Sequence, residues 1–237
     1  MADLRHANTF QDDRGRRLFP RAVPRARHRP PSTAFHSHRR QQTRGSTLLE
    51  LALLLMVAVP LLLGVSGVGL QLGRTLSATQ VTRDVSHMYA LGADFSLPGA
   101  QNIAATLSRD FTLTSNGNAV LILSQIVQVY QTDCTANGLQ SCPNLGQTVF
   151  AQRIVIGNGS LFSSYFGTPP ASYIDTSGNI KPTDYCQQST LVANGFSSVL
   201  SLQQGQVARV VEGYFSMPEL NLVGLTKGGA YYARMLF

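Results

Sequence analysis

Residues 51–70 read LALLLMVAVPLLLGVSGVGL, an almost wholly apolar run without a charged side chain. A helix rises about 1.5 Å per residue, so roughly twenty residues cover the hydrocarbon core of a bilayer, which is about 30 Å thick. The run therefore predicts a transmembrane helix and a single-pass protein anchored in a lipid bilayer.

The basic charge lies on one side of this run. The first 44 residues contain eleven arginines and three aspartates, a formal charge of about +8. Because the whole chain has a formal charge of +7, the remaining residues together carry about −1. Short segments rich in Arg and Lys resist translocation, so we expect a cytoplasmic N-terminus and a periplasmic or extracellular C-terminal region. The basic segment has too little apolar content to fold, and we read it as a disordered leader with no nucleic-acid partner.

The junction between the two segments is open to several interpretations. Thr47 and Glu50 have the spacing of a capping box, so Glu50 could simply help to start the helix. A cleaved secretory signal is a second interpretation, but its apolar region should be shorter and should end in a small-residue cleavage site. A twin-arginine signal built on Arg39 and Arg40 is a third, weakened by its distance from the apolar run.

The order of features at this junction resembles the processing site of type IV prepilins. Gly45 ends the basic leader, Ser46 would be the first mature residue, and Glu50 would occupy the fifth mature position at the edge of the apolar run. The resemblance implies cleavage by a prepilin peptidase after Gly45. It also implies that the Glu50 carboxylate pairs with the free amine of a neighbouring subunit during assembly.

Within that superfamily the chain resembles the TadE-like minor pseudopilins of Tad/Flp pilus systems. The likeness rests on GSTLLELAL at residues 45–53, on the apolar run, and on the following helix with Ala78 and Arg83. It covers roughly the first quarter of the mature chain. It implies an inner-membrane protein whose partners are the prepilin peptidase, other pilins or pseudopilins, and the inner-membrane platform of the pilus.

The helical pattern continues beyond the apolar run. Apolar residues recur every three to five positions, as in an amphipathic helix: Leu72, Leu76, Val81, Val85, Met88 and Leu91. We therefore expect one helix over residues 47–91, kinked at Pro60, where proline removes a backbone hydrogen bond. The predicted organisation is a leader over residues 1–45, the transmembrane and emerging helix over 46–92, and an outer domain over 93–237.

The outer domain has the pattern of an α+β fold. A short helix is expected over residues 100–111, before four strands. The predicted strands are residues 119–130, 148–156, 207–215 and 230–237. Strands that follow a leading helix favour a small antiparallel sheet packed on the emerging part of that helix. The Gly-, Ser- and Pro-rich residues 158–206 predict an irregular surface excursion.

All three cysteines follow the apolar run, so an oxidising compartment would allow one intramolecular disulfide and leave one thiol. Cys134 and Cys142 share a polar loop and are the favoured pair, and a Cys142–Cys186 bond is the main rival. Three cysteines without a nearby histidine do not supply the usual zinc ligands, so no metal site is expected.

Catalytic motifs are not apparent in the sequence. His87 is the one histidine outside the leader, and the acidic residues after Glu50 are scattered. Nucleophile-elbow, P-loop and dinucleotide fingerprints are missing, so we expect neither an enzyme nor a cofactor. Two functions remain open: a pseudopilin cleaved after Gly45, or an uncleaved bitopic surface protein whose outer domain binds a ligand or adhesion target.

Overall fold

The computed structural model describes residues 43–108, 110–217 and 229–237. Its elements in chain order are helices α1 Thr43–Ala90 and α2 Pro98–Leu107, strand β1 Ala119–Gln128, helix α3 Gln131–Ala136, strand β2 Thr148–Gly157, helix α4 Pro182–Gln187, and strands β3 Val207–Met217 and β4 Gly229–Leu236. The predicted α+β class, with one long apolar helix ahead of an antiparallel sheet, is confirmed.

Helix α1 extends beyond its predicted start. The chain is already helical at Thr43, the first described residue and four residues before the predicted residue 47, and the helix ends at Ala90. Thr47 is therefore inside the helix, and the capping-box interpretation of Thr47 and Glu50 is wrong. The helix continues through Pro60, and a kink at that residue remains a prediction.

The sheet has the strand order β2-β1-β3-β4, with antiparallel pairing throughout. Strand β1 is rich in apolar residues, as expected for an inner strand whose two faces are both covered. The register between β1 and β2 shifts between Gln125 and Ile126, where β2 has one extra residue, and this shift places Phe150 of β2 in the core on the face away from α1.

The two faces of the sheet are covered by different material. On one face, Leu121, Val211 and Phe215 form a core with residues of α1 and α2. On the other face, Val210 packs against residues from the irregular segment 158–206, including Phe196. That segment contains the short helix α4 and three single turns of 3₁₀ helix, which the sequence did not predict.

The predicted apolar stripe of α1 is only partly correct. Val81 and Val85 are buried, but Leu72, Leu76 and Leu91 remain 60, 62 and 85 % exposed. The face that packs on the sheet consists instead of Ala78, Val81, Thr82, Val85, Ser86 and Tyr89. Small side chains allow the helix to approach the sheet closely, so counting only large apolar residues found Val81 and Val85 but missed Ala78, Thr82 and Ser86.

The polar members of this face are hydrogen-bonded within the helix. The Thr82 hydroxyl donates to the Ala78 carbonyl at 2.9 Å, and the Ser86 hydroxyl donates to the Thr82 carbonyl at 2.5 Å. Buried hydroxyl groups cost little free energy when they are satisfied in this way. Helix and sheet come close together at Thr82 and Gly213 of β3, where an added Cβ would be 2.6 Å from the Thr82 hydroxyl oxygen.

We predict that Gly213→Val destabilises the outer domain by about 1–3 kcal/mol, because its side chain would overlap Thr82 and push the helix from the sheet. Gly229→Val is the matched control, since a Cβ at Gly229 meets open space and should change stability by less than about 0.5 kcal/mol. Urea unfolding of the detergent-solubilised chain measures both changes. Equal effects of the two substitutions would contradict a tight contact at Gly213.

Candidate functional site

The predicted processing junction lies near the start of α1. Gly45 and Ser46 are within the first residues of the helix, and Glu50 follows one turn later. The Ser46 hydroxyl donates to the Glu50 carboxylate at 3.4 Å, and both side chains are exposed. This long, exposed contact is a weak interaction, so the carboxylate keeps most of its capacity to accept stronger hydrogen bonds.

The apolar segment that follows presents leucine, valine and methionine around the whole helix surface. The helix from Ser46 to Ala90 is long and apolar enough to cross a membrane, and none of its most apolar stretch is buried inside the chain. Gly64, Gly69 and Gly73 also face open space, where an added Cβ would meet nothing within 4 Å. No other part of the described chain packs against these three positions.

The three cysteines are brought together beside the sheet. Cys134 of α3 and Cys142 form a disulfide, and Cys186 of α4 is a buried free thiol. The three sulfur atoms lie within 4.8 Å of one another. Among the described residues this is the one group of three or more potential metal ligands.

A buried carboxylate, which the sequence reasoning missed, lies on the face of the sheet away from α1. Glu212 of β3 is fully buried and accepts hydrogen bonds from the Ser164 hydroxyl, the Tyr165 amide at 3.2 Å and the Tyr232 hydroxyl at 2.8 Å. Burial and the neighbouring Glu212 charge raise the pKa of Tyr232. A single acidic residue inside the strand VARVVEGYF, where Arg209 is the one other charged residue, was the signal available in the sequence.

A buried guanidinium lies on the same face. Arg153 of β2 donates to the Ser124 hydroxyl at 2.6 Å and to the Gly167 carbonyl at 2.6 Å. Burial lowers its pKa to about 10, and the Glu212 charge opposes that shift. Since every named contact of Arg153 and Glu212 joins the sheet to itself or to residues 164–167, we interpret this network as structural. It attaches the irregular segment to the sheet.

A cavity of about 150 Å³ lies where α1 ends above the sheet. The Tyr89 hydroxyl, which donates to the Gln152 side chain at 2.7 Å, lines it together with Gln125 and Arg209. Arg209 donates to the Ala90 carbonyl at 3.2 Å and so caps the end of the helix. His87 is exposed, with its ring 5.6 Å from that of Phe237.

Comparisons with protein-family models, curated proteins and solved structures give no match for this chain. The resemblance to TadE-like pseudopilins therefore stays a hypothesis that rests on the residues of the junction.

The buried Tyr89 predicts a specific alkaline instability. Burial raises the pKa of its phenol, so above about pH 10 the unfolded chain releases a proton that the folded chain retains. The free energy of unfolding should fall by up to about 1.4 kcal/mol per pH unit from this group alone. Tyr89→Phe should cost about 1 kcal/mol at pH 7, where the hydrogen bond is lost, but should lack this part of the alkaline slope.

Denaturant unfolding of both chains at pH 8, 9, 10 and 11 measures the difference. The stability gap between wild type and Tyr89→Phe should narrow above pH 10. A gap that stays constant across this range would mean that Tyr89 ionises equally in both states.

Proposed function

We propose that the chain is a membrane-anchored pseudopilin, a structural component of a Tad/Flp-type pilus or secretion apparatus. Prepilin peptidase would cut after Gly45, and Ser46 would become the mature N-terminus. The role is structural and not enzymatic, and it requires no cofactor. The proposed partners are the peptidase, other pilins or pseudopilins, the inner-membrane platform and the lipid bilayer.

The observation that carries this proposal is the order of four features along the chain. An arginine-rich segment ends at Gly45, a carboxylate follows at Glu50, and a membrane-length apolar helix begins at once. A folded α+β region then packs on the C-terminal part of that same helix. A pilin needs all four: a basic leader, a cleavable glycine, an assembly carboxylate and a helix that carries an outer domain.

The exposed apolar surface supports the membrane anchor. Leucines on all sides of a helix are unfavourable in water, so residues 51–70 require a bilayer or neighbouring apolar helices. With the arginines held in the cytoplasm, the outer domain lies in the periplasm or outside the cell. A disulfide in that domain agrees with an oxidising compartment.

Glu50 supports an assembly function for the junction. A carboxylate at the edge of an apolar segment is costly unless it is paired, and its contact with the Ser46 hydroxyl is long and exposed. A cationic amine from another subunit would form a charge-assisted hydrogen bond at this position. The proposed donor is the Ser46 amine that cleavage would release.

Mass spectrometry of the membrane-extracted protein tests the proposal against the uncleaved bitopic alternative. A mature N-terminus at Ser46, together with loss of the arginine-rich leader, supports the pseudopilin. An intact leader on the membrane-inserted protein supports a surface protein whose outer domain binds a ligand or adhesion target.

We predict that Gly45→Val blocks maturation, because a β-branched side chain would obstruct the backbone that the peptidase must grip. The precursor should accumulate in the inner membrane, as seen by immunoblotting of fractionated cells. Gly64→Val is the matched control: it adds the same side chain within the apolar segment, where there is open space, and should leave cleavage unchanged. A product that still starts at Ser46 in Gly45→Val would show that the site is misassigned.

We predict that Glu50→Leu separates processing from assembly. Insertion should be retained or improved, because removing a charge from a membrane helix saves up to about 2.5–3.5 kcal/mol at its centre and less near its end. Cleavage after Gly45 should continue, but incorporation into pili or pilus complexes should drop at least tenfold. Glu50→Gln, which keeps the shape and removes the charge, should be equally defective, and normal assembly of either variant would reduce Glu50 to a local helix contact.

A further inference from the structure

Three chain segments bring the cysteine sulfurs together. Cys134 comes from α3, Cys142 from the loop before β2, and Cys186 from α4. Their sulfur atoms lie within 4.8 Å of one another, with the disulfide joining the first two. The Cys186 thiol, which is fully buried, therefore lies next to the disulfide, within 4.8 Å of both of its sulfur atoms.

The Cys142 loop is attached to α4 by contacts that do not involve the disulfide. The buried Asn144 donates its side-chain amide to the Tyr185 and Gln188 carbonyls, both at 2.8 Å, and its backbone amide to the Cys186 carbonyl at 3.3 Å. The Cys142 sulfur is itself 3.8 Å from that carbonyl oxygen. Cys142 and Cys186 would therefore remain adjacent if the bond to Cys134 were broken.

We propose that Cys134, Cys142 and Cys186 form an internal thiol–disulfide exchange site. The Cys186 thiolate attacks the Cys142 sulfur, the Cys142–Cys186 bond forms, and the Cys134–Cys142 bond breaks. Cys134 leaves as a thiolate and takes up the proton that Cys186 lost. The step is an isomerisation that consumes no oxidant or reductant.

The two disulfide isomers constrain different parts of the domain. The Cys134–Cys142 bond joins residues eight positions apart, whereas a Cys142–Cys186 bond joins residues 44 apart. The short ring is the easier one to close in an unfolded chain. The longer bond depends on the folded contact between the loop and α4, and it would connect the irregular segment covalently to the loop before β2.

The environment of Cys186 restrains the exchange at neutral pH. Burial raises the pKa of its thiol, and the charge of Asp133 raises it further. Tyr185 beside it and Asp184 one residue before that are the other titratable groups on α4. Because only the thiolate attacks, the exchange rate should rise about tenfold per pH unit below the thiol pKa. Burial also keeps the unpaired Cys186 thiol from forming a disulfide with another chain.

The first test uses Cys134→Ser in the full-length, detergent-solubilised chain. After air oxidation, non-reducing peptide mapping should find a Cys142–Cys186 disulfide, no free thiol and no disulfide-linked dimer. The control Cys186→Ser should keep the Cys134–Cys142 bond. Two free thiols in a Cys134→Ser chain with native circular dichroism, or dimers linked through Cys142, would overturn the proposal.

The second test follows the wild-type chain and does not depend on a variant folding. Samples held at pH 7, 8 and 9 are quenched and denatured in acid, and the free thiol is alkylated with N-ethylmaleimide. Peptide mapping should find part of the label on Cys134 and part on Cys186, with the Cys134 fraction appearing faster at higher pH. Label confined to Cys186 at every pH for a day would refute the exchange.

The third test separates a positioned site from random collision. In the Cys134→Ser background, Asn144→Ala removes the side-chain bonds to the Tyr185 and Gln188 carbonyls and should slow formation of the Cys142–Cys186 bond by roughly tenfold. In strong denaturant the two chains should oxidise at the same rate. An unchanged rate under native conditions would show that Asn144 does not position the thiols.

Discussion

The close packing of the C-terminal part of α1 on the sheet is the contact on which the rest of the outer domain depends. Ala78, Val81 and Val85 close one core of the sheet, and Thr82 meets β3 where Gly213 leaves room for it. Because the same helix continues upstream into the exposed apolar segment, the domain and its proposed anchor share one continuous helix. In the proposed pseudopilin, a force applied to the helix in the membrane would reach the sheet without passing through a flexible linker.

The opposite face of the sheet is stabilised in another way. Residues 158–206 contain little regular structure, so few of their backbone groups are satisfied by helix or strand pairing. Side chains of the sheet supply the missing partners: Glu212 accepts from the Tyr165 amide, and Arg153 donates to the Gly167 carbonyl. Burying these charges is costly unless they are hydrogen-bonded, so the irregular segment and the polar network each depend on the other.

Much of the fold could be predicted from the sequence, because its signals are local. The apolar run, the β-branched density of β1 and the order of the strands gave the α+β class, and the strand bounds agree to within about two residues. The face of α1 that packs on the sheet was not predictable, since Ala78, Thr82 and Ser86 are buried because of their small size and not their hydrophobicity. Residues 218–228, between the last two predicted strands, and most of the predicted leader lie outside the described residues. The processing junction at Gly45, Ser46 and Glu50 is a hypothesis that rests on resemblance, whereas the assembly of three cysteines and Asn144 depends on tertiary contacts far apart in sequence.

Along α1, exposed apolar residues are followed by residues that pack on the sheet. The short distance between these two parts limits how far the outer domain can lie from the proposed membrane. Residues 51–70 are largely apolar and almost all exposed, and the first α1 residue in the core with the sheet is Ala78, eight residues later. Eight helical residues extend about 12 Å, whereas the headgroup region adds only about 5–8 Å to each side of the hydrocarbon core. The sheet would therefore begin just above the headgroups, and the exposed Leu72 and Leu76 would lie at the lipid boundary or against neighbouring helices. The exposure of these two leucines contradicts the simple amphipathic prediction. It fits a helix whose surroundings change from lipid to packed protein along its length.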